Sequence, residues 1–348
     1  MSLPDTQRTV FLLGPEKVEL REVPLPAPGP GELLVKIGAA TTCGTDVKVL
    51  RRGGHPRMLR PPAPFGHEMA GTVVAVGPEQ ERWKVGDRVV IANSAPCGVC
   101  EWCRRGRENL CSALEYLNGA FAEYVLVPRR FGEASTWAIP AGLPFEVAAL
   151  AEPLACVLHG LEICSLDNDS DVVVYGGGPI GLLFVGLLAG AGHRVVLADP
   201  NPPRLESARR MGAAEAVRVS RDGVEADRLR EHSRHGDGYD LAIEATGSPV
   251  AWEDALASAR PGGAVLLFGG CRPGTVIPLD THRLHYSELT IKGAYHHRPA
   301  TFEGALDLLA AGRIPTAELL SAERPLDELE DALRSMMRKE ALKVVIRP

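Results

Sequence analysis

The chain has 348 residues, of which 45% are apolar and 24% are charged, and its formal net charge is −6. This length and composition indicate a globular protein with about two domains. The acidic balance, together with the lack of a basic tract of the kind that grips nucleic-acid phosphates, argues against a nucleic-acid-binding protein.

The N-terminal apolar run "VFLL" is short and has no basic region before it. We therefore expect no signal peptide and a cytoplasmic location. The first 150 residues contain short strand-like segments that are separated by Pro and Gly, a pattern typical of an antiparallel, barrel-like β domain. These segments are "TVFLL", "ELLVKIGAA", "AGTVVAVG", "DRVVIA" and "AEYVLVP".

Potential metal ligands occur at three places beside Gly or Pro. "TTCGTD" contains Cys43, "PFGHEMAG" contains His67 and Glu68, and "LAEPLAC" contains Glu152. Each has an ordinary explanation on its own: a buried thiol, a hydrogen-bonded histidine, or a carboxylate at a helix start. Together, one Cys, one His and one carboxylate, with a fourth position left to water, fit a catalytic zinc site.

The segment "CGVCEWCRRGRENLC" is a second candidate metal site. Four thiolates at this spacing can surround Zn²⁺ as a tetrahedron and leave no open position, which predicts a structural zinc in a lobe of about residues 93–115. An iron–sulfur cluster fits less well because the last cysteine is far from the third, and unmetallated surface thiols are the other alternative. The proposed ligands are Cys97, Cys100, Cys103 and Cys111.

A glycine-rich turn follows the apolar segment that begins at Asp171. The stretch from Val172 to Gly192 has 21 residues without a charge, long enough to cross a bilayer. Its glycines and its proline favour a strand, a tight turn and a buried helix instead. Gly176, Gly178 and Gly181 then form the GxGxxG pattern that lets a backbone approach a dinucleotide pyrophosphate, although a βα turn without a ligand would look similar.

Further βα units follow and predict a doubly wound parallel sheet. The strand "RVVLAD" ends in Asp199, whose carboxylate can bind the ribose hydroxyls of NAD and repels the 2′-phosphate of NADP. NAD is therefore the predicted cofactor and NADP is less favoured, with Arg204 as a residue that can soften the preference. Thr246 and Gly247 end another strand and are expected to line the cofactor site.

The ordered set "CGTD", "GHE", the cysteine run, "EPL" and the glycine-rich turn resembles the zinc-containing medium-chain dehydrogenases/reductases, and most of all their sorbitol (L-iditol) and polyol dehydrogenase branch. The resemblance covers nearly the whole chain. It implies an α/β protein with a GroES-like, β-rich catalytic domain at 1–150 and a Rossmann NAD-binding domain at 151–291. Residues 292–348 are expected to return to the catalytic domain.

The resemblance also implies roles for individual residues. Cys43 and His67 would bind the catalytic zinc, either Glu68 or Glu152 would be the third ligand at rest, and Asp46 would orient His67. Thr45 would exchange a proton with the alcohol oxygen. The dinucleotide site would comprise Gly176, Gly178, Ile180, Gly181, Asp199, Arg204, Thr246 and Gly247.

One position departs from the family pattern. Many relatives carry a histidine five residues after the zinc cysteine, where this chain has Lys48. A lysine with its ordinary pKa of about 10.4 is a poor base at neutral pH. The proton path could end at ribose hydroxyls and water or at His55, and Lys48 could simply be solvated. His296 and His297 could face the cleft, but such a pair on a predicted loop is usually solvated, and solvation is the expectation.

The implied enzyme transfers hydride from a secondary alcohol, such as a polyol or sugar alcohol, to NAD and forms a ketone. Two zinc ions per chain, a small-molecule alcohol substrate and a homo-oligomer, either tetramer or dimer, are expected with it; a membrane partner is not. Threonine dehydrogenases share "CGTD" and "EP" but carry a histidine just before the cysteine lobe, where this chain has "NSAPCG". A threonine or other amino-alcohol dehydrogenase is therefore the alternative enzyme, and a noncatalytic, nucleotide-binding redox sensor is the alternative outside enzymes.

Overall fold

The computed structural model describes residues 3–220, 223 and 225–348. The chain forms two compact units. The first contains the chain up to Ala155 together with His297–Ala311 and Leu319–Pro348, and the second contains Cys156–His296 and Gly312–Glu318. The predicted boundaries after residues 150 and 291 lie close to these limits. Residues 312–318, which we expected in the returning segment, belong instead to the second unit.

Strands and helices are numbered separately in chain order. The strands are β1 Thr6–Gly14, β2 Lys17–Pro24, β3 Leu33–Thr41, β4 Ala63–Pro64, β5 Glu68–Val76, β6 Arg88–Ile91, β7 Ser94–Ala95, β8 Glu115–Tyr116, β9 Tyr124–Val127, β10 Thr136–Ala138, β11 Asp171–Tyr175, β12 Arg194–Asp199, β13 Glu215–Arg218, β14 Tyr239–Glu244, β15 Ala259–Leu267, β16 Thr290–Gly293, β17 Leu320–Pro325 and β18 Lys343–Arg347. The helices are α1 Gly44–Arg52, α2 Glu101–Arg104, α3 Arg129–Ala134, α4 Phe145–Ala148, α5 Ala151–Glu162, α6 Pro179–Gly190, α7 Pro202–Arg210, α8 Ala226–Glu231, α9 Pro249–Ser258, α10 Thr281–Tyr286, α11 Pro299–Ala310 and α12 Leu329–Met337.

The first unit is built around a seven-stranded sheet in the order β10-β6-β5-β3-β18-β17, with β9 also paired to β3. Strand β3 is buried along most of its length because it pairs with β5, β9 and β18. Strand β18 joins β3 in antiparallel register, with Val345 opposite Thr41. This pairing brings the last residues of the chain to the end of β3, immediately before the predicted zinc cysteine.

The second unit contains a six-stranded parallel sheet in the order β13-β12-β11-β14-β15-β16. Helices alternate with the strands along the chain, which confirms the predicted doubly wound arrangement. Strand β11 is completely buried, as expected for an inner strand of a parallel sheet. The carboxyl ends of β11, β12 and β14 are neighbours, so the loops after them lie side by side.

The charge-free stretch from Val172 to Gly192 forms β11, a turn and α6. It is therefore the strand, turn and helix that the sequence predicts. Across the described residues, every helix is too short or too polar to span a bilayer.

Candidate active site and metal centres

Cys43 is fixed by the start of helix α1. It is the N-cap residue, its Sγ accepts a hydrogen bond from the Thr45 N–H at 3.4 Å, and its own N–H donates to Asp46 Oδ2 at 2.8 Å. This reciprocal pattern is a capping box in which the cysteine takes the place of the usual Ser or Thr. The helix start therefore sets the directions of both the Cys43 thiol and the Asp46 carboxylate.

Asp46 also orients His67. Its Oδ1 lies 2.9 Å from His67 Nδ1, and both side chains are buried. Burial opposes protonation of His67, but the Asp46 carboxylate and the Cys43 sulfur outweigh it and raise the pKa of the imidazole well above its usual value. Because Nδ1 is engaged by Asp46, Nε2 is the nitrogen left for a metal ion.

Glu68 is held by a buried ion pair. Lys343 Nζ donates to its two carboxylate oxygens at 2.8 and 2.5 Å and to the Thr42 carbonyl at 2.7 Å. The Thr41 hydroxyl donates to the same carboxylate. Burial lowers the pKa of Lys343, but the charge of Glu68 outweighs it and the net shift is upward. The sequence interpretation missed Lys343, which lies at the start of the apolar strand β18.

Ligand atoms of Cys43, His67 and Glu68 lie within 4.8 Å of one another. A sulfur, an imidazole nitrogen that is oriented by a carboxylate, and an acidic oxygen are the donors that Zn²⁺ takes in catalytic sites. The donor set therefore fits a zinc ion, and Cys43 and His67 are common to both predicted ligand sets.

Glu152 lies at the first turn of α5 and is 6% exposed. Burial raises its pKa to about 7; the charges of His67 and Lys343 oppose this shift and Glu68 reinforces it. Because these charges act on its carboxylate, Glu152 shares the electrostatic environment of the Cys43 group, which consists of Cys43, His67 and Glu68. Within the described residues, however, it is not a member of that 4.8 Å set.

Other predicted residues differ in exposure. Thr45 is partly buried and Lys48 is exposed, as expected for a solvated lysine.

His297, which we expected to be solvated, is 4% exposed, and its Nε2 lies 3.1 Å from Asn93 Oδ1. Ligand atoms of His297 and Glu152 also lie within 4.8 Å of each other. The expectation for His297 was wrong because the ring of Phe302 and the Asn93 amide cover its imidazole.

The four cysteines of the lobe converge on one point. Their sulfur atoms are separated by 4.0 Å (Cys97–Cys103), 3.5 Å (Cys100–Cys103) and 3.8 Å (Cys100–Cys111). A tetrahedron with Zn–S bonds of about 2.3 Å requires S···S distances of about 3.8 Å. The geometry therefore fits a four-coordinate metal, and all four cysteines are free of disulfide bonds.

Backbone N–H groups stabilise thiolates in this lobe. Cys97 N donates to Cys111 Sγ at 3.2 Å, and Cys100 N donates to Cys97 Sγ at 3.3 Å. Backbone hydrogen bonds, of which the one from Cys103 has the largest effect, lower the pKa of the Cys100 thiol to about 5. Burial raises the pKa of the Cys103 thiol to about 12. A bound metal ion would favour ionisation of the thiols, because cysteine binds metals as the thiolate.

The glycine-rich turn of the second unit joins β11 to α6. Gly176 has a φ of +104°, and a Cβ on Gly181 would lie 1.7 Å from the Gly176 carbonyl oxygen. Both positions therefore require glycine. Gly178 is the N-cap of α6, and Ile180 lies in its first turn, where backbone N–H groups can bind phosphate.

Asp199 lies at the end of β12 and supports this turn. Its Oδ2 accepts from Gly177 N and its Oδ1 from Asn201 N, both at 2.7 Å. Arg204 Nη1 is 3.8 Å from the carboxylate. The predicted residues Gly176, Asp199 and Arg204 are thus brought together in the second unit, and the carboxylate reaches the turn directly.

Thr246 and Gly247 lie in the loop after β14 and touch the same turn. A Cβ on Gly176 would be 2.6 Å from Thr246 Cγ2. Glu244, which is fully buried, accepts from Thr246 N at 2.5 Å and from Gly247 N at 2.9 Å. The sequence interpretation missed this supporting carboxylate; the signal was an acidic residue directly after the apolar residues 241–243 of β14.

Comparison with known proteins gives matches to two family models. Residues 29–137 match the alcohol dehydrogenase GroES-like domain, and residues 179–311 match the zinc-binding dehydrogenase domain. These matches confirm the predicted GroES-like domain and Rossmann-type sheet.

Similar proteins extend over almost the whole chain. Sorbitol dehydrogenase of Bacillus subtilis is 31% identical over 100% of this chain and 99% of its own length. L-threonine 3-dehydrogenase of Stenotrophomonas maltophilia is 32% identical over 94% of this chain and 95% of its own. A zinc-binding dehydrogenase of Sinorhizobium meliloti, solved bound to NADP, superposes with a TM-score of 0.90, is 33% identical, and is matched over 99% of this chain and 100% of its own.

Proposed function

Because this chain belongs to the zinc-binding alcohol dehydrogenase family, we propose that it oxidises a secondary alcohol group of a polyol or sugar alcohol to a ketone, with NAD⁺ as the hydride acceptor. Family membership makes the protein an oxidoreductase that acts on CH–OH donors. The main structural support for this proposal is that ligand atoms of Cys43, His67 and an acidic side chain lie within 4.8 Å of one another in the first unit.

The residues of the chain have distinct tasks in this reaction. A Zn²⁺ held by Cys43, His67 and one of the two glutamates would supply the Lewis acidity that lowers the pKa of the substrate alcohol. Asp46 keeps the His67 imidazole in place through its 2.9 Å contact with Nδ1. The Thr45 hydroxyl, at the same helix start, can accept the alcohol proton and donate its own outward.

We infer that Glu152 is the resting third ligand. Glu68 already has a cation, since Lys343 contacts both of its oxygens. Glu152 is buried, and among the described residues it makes no ion pair within 4 Å; its pKa of about 7 reflects the cost of burying its charge. A divalent ion would remove this cost. Glu68 remains close enough to act as an alternative ligand if its contact with Lys343 opens.

Asp199 supports NAD as the cofactor. Its carboxylate is fixed by two backbone N–H groups, and its negative charge would repel a 2′-phosphate. The related Sinorhizobium meliloti protein was solved with NADP, and Arg204 lies 3.8 Å from Asp199, so NADP is the alternative. The ratio of the two kcat/KM values decides between them.

Two substrate classes follow from the relatives. The B. subtilis relative is a sorbitol dehydrogenase and supports a polyol. The S. maltophilia relative, at 32% identity, is an L-threonine 3-dehydrogenase and makes threonine the second candidate. The segment before the cysteine lobe, where Ser94 and Ala95 form β7, lacks the histidine of the threonine dehydrogenase pattern and favours the polyol.

The test is a screen of NAD⁺ reduction with polyols, sugars, threonine and simple secondary alcohols, with metal content measured on the same sample. We expect turnover of a polyol by protein that contains zinc, and loss of that turnover in Cys43→Ser. A Cys43→Ser protein that keeps full turnover after chelation and dialysis would exclude the proposed mechanism. Tight dinucleotide binding without turnover of any alcohol would instead favour a redox sensor.

A further inference from the structure

Basic residues are concentrated between Gly44 and Gly66. This segment holds five cationic residues, whereas Asp46 is its only acidic residue, although the whole chain has a net charge of −6. Asp46 is completely buried and is bound to Cys43 and His67. All five cationic side chains are exposed: Lys48, Arg51, Arg52, Arg57 and Arg60. We call residues 48–60, the end of α1 and the loop that follows it, the basic loop.

The basic loop has a defined conformation. His55 and Leu59 exchange backbone hydrogen bonds of 2.8 and 3.3 Å, and His55 Nδ1 accepts from Met58 N at 3.0 Å. From outside the loop, Asn118 Nδ2 donates to the Met58 carbonyl at 2.8 Å. The cationic side chains therefore project from a fixed backbone, so binding an anion would not require the loop to fold first.

The basic loop lies beside the candidate active site of the first unit. Within the loop, Arg57 N and Met58 N both donate to His55 Nδ1, at 3.3 and 3.0 Å, which fixes the backbone at these two residues. Met58 Sδ is 3.9 Å from Asn93 Nδ2, and the other end of the Asn93 amide contacts His297. The loop is thus joined through direct contacts to side chains that surround the predicted metal ligands.

We propose that the alcohol substrate carries an acidic group, a carboxylate or a phosphate, which the basic loop binds; the substrate class is then a sugar acid or a polyol phosphate and not a neutral polyol. This inference rests on the proposed function and specifies its substrate. Guanidinium groups match both anions with paired N–H donors, and like charges clustered at a site mouth concentrate anions there. A neutral polyol could accept hydrogen bonds from the cluster but would gain no charge pairing.

The same charges disfavour threonine. Its carboxylate would suit the basic loop, but its ammonium group lies on the adjacent carbon and would be repelled by the same guanidinium groups. A sugar acid or polyol phosphate presents only negative charge. The inference therefore separates the two substrate candidates that the relatives leave open.

The first experiment compares matched substrates on the zinc-loaded enzyme with saturating NAD⁺. Each alditol of a stereochemical panel is assayed with its aldonate and its alditol phosphate, beside L-threonine. We expect kcat/KM for one acidic member to exceed that of its alditol by at least about tenfold. This advantage should shrink as ionic strength rises from about 0.02 to 0.2 M, because salt screens exposed charges. The aldonate and phosphate arms identify which anion is bound.

The second experiment removes the charges. In Arg52→Gln, Arg57→Gln and the double variant, the ratio of kcat/KM for the acid to kcat/KM for the alditol should fall by about tenfold. The fall should come mainly from a higher KM for the acid. Arg313→Gln, an exposed arginine in the second unit, removes the same charge elsewhere and should leave the ratio unchanged. Zinc content and melting temperature establish that each variant is intact.

Three results would overturn the inference. The enzyme could prefer the alditol at every ionic strength, or the ratio of kcat/KM for the acid to kcat/KM for the alditol could stay unchanged in the double variant. The variants could also raise KM for NAD⁺ alone, which would assign the basic loop to the cofactor phosphates. Preferred oxidation of L-threonine would also overturn it and would support the second enzyme candidate. Failure of the proposed function looks different, since the zinc-loaded protein would then oxidise neither the alditols nor their acids.

Discussion

The ammonium group of Lys343 contacts both carboxylate oxygens of Glu68, and the two side chains are 1% and 0% exposed. The residues are far apart in the chain and meet because β18 pairs with β3, which in turn pairs with β5. The ion pair lies next to Cys43 and His67. It therefore keeps a negative charge near the proposed metal ligands without leaving that charge uncompensated.

Lys343→Met should destabilise the protein by about 3–5 kcal/mol, because it leaves the Glu68 carboxylate buried without its cation. Combining it with Glu68→Gln should recover most of the loss, since neither partner is then charged. Urea denaturation of the zinc-loaded proteins measures both changes. If the single and double variants lose equal stability, the cost comes from packing around residue 343 and not from the unpaired charge.

Cys100→Ser should reduce bound zinc from about two ions per chain to about one and leave the catalytic ion in place, since the lobe cysteines and the Cys43 group form separate clusters. The lobe contains few apolar residues, so it should also become sensitive to proteases between Cys97 and Cys111. Elemental analysis and limited proteolysis check both. Cys271→Ser, outside both clusters, is the control; equal zinc loss in the control would contradict the assignment.

The distance between partners along the chain decided what could be predicted from the sequence. The cysteine lobe has all its proposed metal ligands within fifteen residues, and the glycine-rich turn is a single local unit, so the spacing of these residues in the sequence was enough to predict their arrangement. Cys43 and His67 required the order of several motifs. Lys343 could not be predicted as the partner of Glu68, because only the pairing of β18 with β3 brings them together.

The burial of individual polar residues was the second feature that could not be predicted from the sequence. His297 was expected to be solvated, since nothing in its own segment indicates the Asn93 amide and the Phe302 ring that cover it. From the sequence alone, Glu244 similarly looks like a polar residue at the end of a strand. Its carboxylate in fact receives the N–H groups of Thr246 and Gly247, a contact that depends on how the following loop turns back.

Thr45→Val should lower kcat by about a hundredfold, because it removes the hydroxyl that we propose exchanges a proton with the alcohol. Thr45→Ser keeps the hydroxyl and should retain most of the activity. Zinc content and NAD⁺ affinity should be unchanged in both, since the Thr45 contact with Cys43 is made by the backbone N–H. Equal activity of the Val and Ser variants would remove Thr45 from the proton path.

Asp199→Ala should lower kcat/KM for NAD⁺ by about tenfold and raise the ratio of NADP⁺ to NAD⁺ efficiency, because it removes the charge that repels a 2′-phosphate and leaves Arg204 in place. Asp199→Asn keeps an acceptor for Gly177 N or Asn201 N and should lose less NAD⁺ efficiency. Steady-state kinetics with both cofactors measure this. An unchanged ratio in Asp199→Ala would mean that other residues discriminate between the dinucleotides.

His55 should make the stability of the first unit depend on pH. Burial, followed by the charges of Arg52, Arg57 and His67, holds its pKa below the usual 6.5, and its Nδ1 accepts hydrogen bonds from Arg57 N and Met58 N only when it is unprotonated. The unfolded chain therefore binds a proton at a higher pH than the folded chain. The contribution of His55 to stability is complete above pH 6.5 and is lost as the pH falls through its lower folded pKa.

His55→Asn tests this dependence, because the Asn side-chain oxygen can accept from Met58 N but does not titrate. The free energy of unfolding, measured with urea at about pH 7.5, 6.5 and 5.5, should fall more steeply with decreasing pH in the native chain than in the variant. Amide exchange at Met58 should accelerate at low pH in the native chain only. Because other histidines titrate in both proteins, the difference between the two curves isolates His55, and parallel curves would mean that its imidazole is protonated equally easily in the folded and unfolded chains.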